Sequence, residues 1–183
     1  METSDYVLLE LLAKLGGVQG RKKLQKLCYI AKLAGAPIED DFFFHYYGPY
    51  SSELASRVDH LVESGHLREI PHKLFRPDMV EYGYDLTRDA RGFLESVRPQ
   101  NVPEDFRKAM DRGINRVTAL KDRHVFTLEL AATLLYWRAQ GDSWEEAEAT
   151  TEQRKETRRD RSAFKEAQEI AKEVWQSQEQ TGD

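Results

Sequence analysis

Residues 127–139 read TLELAATLLYWRA, a helix-length run that is apolar almost all the way round. A helix without a polar face is stable only when other elements enclose it, so this run predicts the most buried helix of the C-terminal half. Its one carboxylate, Glu129, falls in the first turn of a helix starting at Thr127, where the macrodipole favours negative charge. The neighbouring sequence supplies the enclosure. Residues 104–120 form one helix, and Ser143-Trp144-Glu145-Glu146 is a capping box that opens another. The last helix aligns Phe164, Ala167, Ala171 and Val174 on one stripe, and residues 177–183 are expected to fray.

The first half is punctuated differently. Residues 4–15, with Ser4 as N-cap, place Val7, Leu8, Leu11, Leu12 and Leu15 at helical spacing before Gly16-Gly17 stops the helix. A second helix spans 21–34, with Leu24, Leu27, Cys28 and Ala31 inward, and ends at Gly35 and Pro37. The alternating aromatics of 42–47 predict a short extended segment, and Gly48-Pro49 a turn. Ser51 or Ser52 caps a third helix, which buries Leu54, Val58 and Leu61 and ends near Gly65. Residues 67–70 and 82–86 are strand candidates joined by a basic, proline-bounded connection over 71–77, and Thr87 caps a fourth helix. This order is the pattern of a winged helix-turn-helix. The expected fold is therefore mainly α: a winged-helix half with a small β-hairpin wing over residues 1–98, and a helical region over 99–183 packed on it. The boundary lies at 99–103.

A chain of 183 residues is long enough for a real core. Its 27 basic and 32 acidic side chains sum to a net charge of -5, and the whole excess lies in the last quarter, from 140 onward. Cys28 is the single cysteine, so neither an intrachain disulfide nor a thiolate zinc site can form. The start METSDYVLLELLAKLGG reads as a helix rather than a leader, and no run approaches the roughly 18 apolar residues of a membrane span. A cytoplasmic protein with no membrane partner is expected. No two of the five histidines stand at i,i+4, and no phosphate-loop, dinucleotide or nucleophile-elbow motif occurs. No metal, cofactor or enzyme activity is expected.

Two features could carry binding chemistry. Residues 11–38 contain no acid, and Arg21, Lys22 and Lys23 occupy the first turn of the second helix, where the macrodipole disfavours cations. With Lys26 continuing the exposed face, they form either a docking face for an anionic partner or a solvated face paired with Asp40, Asp41 or the acidic C-terminal helices. The aromatic run is the second feature. Phe42, Phe44 and Tyr46 are candidates for the core, while His45, Tyr46, Tyr47 and Tyr50, with Arg57 of the third helix, are candidate partner-binding residues. The exposed face expected for the third helix (Ser52, Glu53, Ser56, Arg57, Asp59, His60, Glu63) offers one arginine against three acids, which opposes base reading. Arg68, His72, Lys73 and Arg76, in and beside the wing, are better placed to touch phosphate.

The segments RKKLQKLCYIAKLAG and FFFHYYGPYSSELASRVDHLVESGHL, followed by LELAATLLYW and SWEEA, resemble the uncharacterised prokaryotic YwgA-like family. The hallmark is a KLQKL-type helix followed by an HYYGPYS turn. More distantly, the KLQKL helix and the Gly48-Pro49 turn are similar to Panacea-domain and SocA-like antitoxins, with His45 standing at their tryptophan position. The resemblance implies a mainly helical, non-catalytic protein that regulates by binding another macromolecule; with the acidic third helix and the aromatic turn, the expected function is a protein-binding module of antitoxin or adapter type. The alternative is a winged-helix transcriptional regulator that binds DNA; a homodimer is compatible with either.

Overall fold

The structure is a computed structural model that describes residues 3–73, 80–97, 102–155 and 160–179. Among these residues the chain is mainly helical, with a small antiparallel sheet. Helices α1 (Thr3–Leu15), α2 (Arg21–Leu33) and α3 (Ser52–Glu63) are followed by strands β4 (Leu67–Lys73) and β5 (Val80–Leu86) and by α4 (Arg88–Val97). Strand β1 (Val18–Gln19) lies between α1 and α2, and the hairpin β2 (Phe43–His45) and β3 (Gly48–Tyr50) lies between α2 and α3. The C-terminal half is α5 (Glu104–Thr118), α6 (Val125–Ala139), α7 (Trp144–Arg154) and α8 (Arg161–Glu179).

The sheet order is β1-β5-β4, with Val18 opposite Tyr84 and Leu67 opposite Leu86. Both longer strands extend beyond the expected bounds, and β1 was not expected at all. Its two residues are too few to show a period, and pairing with β5 alone defines it. Residues 74–77 of the expected connection, Arg76 included, lie outside the described residues, as do 99–101 of the expected boundary. Ser51 caps α3 by accepting from the Leu54 amide, and Thr87 caps α4 by accepting from that of Ala90. Ser4 is buried inside α1 and is not its cap.

Every residue from Thr127 to Leu135 is buried. Enclosure comes from both halves of the chain: α2 and β3 pack on α6 from one, α7 and α8 from the other. One continuous apolar cluster consequently runs from residue 6 to residue 174. Helix α5 closes the far side of α2, and Gly113 permits that approach, since a Cβ there would stand 2.5 Å from both the backbone nitrogen and the Cβ of Ala36. Helix α6 starts at Val125, with the His124 ring accepting from the Phe126 amide. Glu129 therefore sits beyond the first turn, and the macrodipole does not account for it. No described helix is long and apolar enough to cross a membrane.

Candidate functional site

The aromatic run folds into a tight hairpin. Phe44 opposes Pro49 and His45 opposes Gly48, which leaves Tyr46 and Tyr47 as the two-residue turn. Gly48 has φ +80°, and a Cβ there would stand 2.8 Å from Thr133 Oγ1 on α6. A side chain is excluded both by the backbone conformation and by the helix beneath.

The hairpin is fixed from below by side chains that address its backbone. Lys26 Nζ donates to the Pro49 carbonyl at 2.5 Å. Gln25 donates to the Ser51 carbonyl at 2.8 Å and accepts from the Ser51 amide at 2.9 Å. Lys155 Nζ donates to the Tyr46 carbonyl at 2.5 Å and to Glu129 Oε1 at 2.6 Å. Lys22 Nζ lies 2.6 Å from Glu129 Oε2 and 4.1 Å from the centre of the Tyr47 ring. The KLQKL and GPYS segments are thus the two halves of one clamp, Gln25 and Lys26 supplying side chains and residues 49 and 51 supplying main-chain atoms.

The clamp is electrostatically dense. Lys155 and Glu129 side chains are only 6% and 5% exposed. Burial alone would raise the Glu129 carboxyl, but the two lysines outweigh it and hold it below the ordinary range. Burial pushes the Lys26 ammonium down to about 7; Glu129 opposes the shift, while Lys155 and Lys22 add to it.

The structure brings together some of the anticipated residues and separates others. Arg21, Lys22, Lys26, His45, Tyr47 and Tyr50 come together around a cavity of about 230 Å³ between α2 and the hairpin. Lys26 is not on an exposed face: it is 2% exposed, because α2 is covered on this side by β3 and α6. Tyr46, a candidate both for the core and for partner binding, is 78% exposed, since the turn ends the alternation at His45. Arg57 is likewise withdrawn from the surface of α3, where Asp5 takes it at 2.9 Å and Asp40 at 3.2 Å. Arg21 is engaged by Asp59, Glu69 and the Tyr84 hydroxyl. Lys23 is half-exposed on α2. Arg68 and Lys73 are exposed on β4, outside the cavity, with Arg68 paired to Asp85. Cys28 is buried in the core, and burial raises its thiol. Among the described residues no cluster of metal-ligating side chains occurs.

Glu129 and Lys155 were missed as parts of this site. A lone carboxylate in an otherwise apolar helix was a visible signal for the first. Lys155 lies in a run of charged residues that nothing in the sequence distinguishes from a solvated face.

No family model matches the chain. It is 35% identical over 130 residues to the uncharacterized protein YwgA of Bacillus subtilis (strain 168), an alignment covering 71% of this chain and 72% of that protein.

Proposed function

The chain belongs to the YwgA family, and from its site we propose a non-catalytic regulatory protein that acts through a protein-binding surface, of adapter or antitoxin type. The observation that carries this reading is the pair Tyr46 and Tyr47, 78% and 49% exposed on a turn whose backbone is pinned by buried side chains. Tyrosine offers a broad apolar face with a polar tip, suited to contact surfaces. Holding such rings on a rigid turn lowers the ordering cost of association. Phe43, also exposed, extends the patch on the strand beside it.

The test is affinity capture by the tagged protein from its native cells, with and without nuclease. A specific partner that survives nuclease, and that is lost with Tyr46→Ala/Tyr47→Ala while the variant keeps the wild-type Tm, supports the surface. Undiminished capture by the double variant removes it.

A second reading is a winged-helix DNA-binding regulator. What favours it is the order α1, α2, α3, β4, β5 with β1 added beside β5, together with exposed Arg68 and Lys73 on β4. Against it stands α3, whose exposed face carries Glu53, Asp59 and Glu63, while its arginine is tied to Asp5 and Asp40. Loss of the captured material on nuclease treatment, with a DNA shift that falls steeply with salt and with Arg68→Ala/Lys73→Ala, would favour this reading instead.

A further inference from the structure

The cavity between α2 and the hairpin has a charge balance that the clamp does not explain. Glu129 is the carboxylate nearest the lysines that the clamp brings together, Lys22, Lys26 and Lys155, and Lys26 feels its charge without bonding to it. Lys22 and Lys155 occupy its two oxygens. Lys26 lines the cavity, is 2% exposed, and among the described residues has as its hydrogen-bond acceptor the neutral Pro49 carbonyl. A buried ammonium is stable when an anion meets it; Glu129 is already taken by two lysines, so an anion entering the cavity would hold Lys26 in its charged form beside Lys22. Arg21, also on the wall, is answered by Asp59 and Glu69.

The rest of the wall favours a flat ligand. Tyr47, Tyr50 and His45 form its hairpin side, with the His45 and Tyr50 rings 5.6 Å apart. Offset and edge-on ring contacts are favourable beyond simple burial. A volume of about 230 Å³ falls below the roughly 300–1,000 Å³ of sites for drug-sized molecules, which limits the occupant to about one ring.

We infer that this cavity binds a small aromatic carboxylate, with the carboxylate against Lys22 and Lys26 and the ring beside Tyr47 and Tyr50. The site shares Tyr47 with the protein-binding reading but not Tyr46, so benzoate binding in Lys22→Met and partner capture in Tyr46→Ala report on the two readings separately.

The full chain is titrated with benzoate, with acetate as an anion lacking the ring and benzyl alcohol as a ring lacking the anion. Binding is followed by the amide resonances of α2 and the hairpin. The expected result is saturable benzoate binding with Kd of about 1 mM or tighter, and binding of either partial probe weaker by about tenfold or more. Lys26→Met should lower benzoate affinity by at least about tenfold. Lys22→Met should do the same while leaving the Lys26–Pro49 and Lys155–Glu129 contacts in place, so it reports on the site even if the first variant does not fold. Absence of saturable benzoate shifts, equal affinity for benzyl alcohol, or unchanged benzoate affinity in Lys22→Met would overturn the assignment.

Discussion

Glu129 is the residue on which the hairpin platform is balanced. Its carboxylate is buried between two ammonium groups, so removing it strands Lys155, which is itself buried. Glu129→Leu should therefore destabilise the fold by about 3–5 kcal/mol in urea unfolding. Adding Lys155→Met should restore much of that loss, because replacing a whole buried pair with apolar groups is far cheaper than breaking it. Lys26 makes a separate prediction, with a sign set by its depressed pKa. Protonated Lys26 is disfavoured in the folded state, whereas the unfolded chain holds its proton up to the ordinary 10.5. Wild type should therefore gain stability relative to Lys26→Met as pH rises from about 7 to 10.5, by at most about 5 kcal/mol, and lose that gain as pH falls back through 7. Sequence reasoning assigned Lys26 to the surface because lysines usually belong there. The error arose because the neighbours that bury it, β3 and α6, come from distant parts of the chain.

At the level of elements, α3 is attached to the rest of the protein as much by Arg57 as by its apolar face. Its guanidinium joins Asp5 on α1 to Asp40 before β2. Arg57→Ala leaves two buried carboxylates without this cation and should cost about 3–5 kcal/mol, measured as a lower urea midpoint with an unchanged m-value. The helices themselves were legible in the sequence. Apolar spacing, Gly16-Gly17, Gly35 and the Ser143–Glu146 capping box marked them to within a few residues. The first strand of the hairpin was legible as extended chain, but the turn expected at Gly48-Pro49 falls at Tyr46-Tyr47, and Gly48-Pro49 belongs to β3. Phe44 does pack inward, against Tyr136 and Trp137 at 5.5 and 4.8 Å, but the same alternation does not continue to Tyr46 beyond the last paired residue.

Across the whole molecule the core does not divide at the chain's midpoint. Helix α2 of the first half packs against both α5 and α6 of the second. A fragment of residues 1–98 would leave the buried side chains of α2 without these partners. It should show no cooperative urea transition, whereas the full chain unfolds in a single step. The charge asymmetry resolves at this scale as well. Acids of the last quarter pair among its own helices or with α5 and the residues after it: Glu148 with Lys172, Glu152 with Arg161, Glu166 with Arg123, Glu173 with Arg116. The basic start of α2 is answered elsewhere, by Glu129, Asp59 and Glu69. Charge totals by segment cannot reveal such pairings, because they are set by which helices touch.

The clamp under the turn grips main-chain atoms: the carbonyls of Tyr46, Pro49 and Ser51 and the amide of Ser51. None of those bonds depends on the identity of the side chains at 46 or 47. Surface substitutions remote from a packed contact generally change stability by less than about 0.5 kcal/mol. The outward Tyr46 ring, 78% exposed, can therefore be exchanged without loosening its mount. On the proposed protein-binding reading, recognition would change by single substitutions at the tip, while Gln25, Lys26, Gly48, Glu129 and Lys155 hold the loop's shape constant.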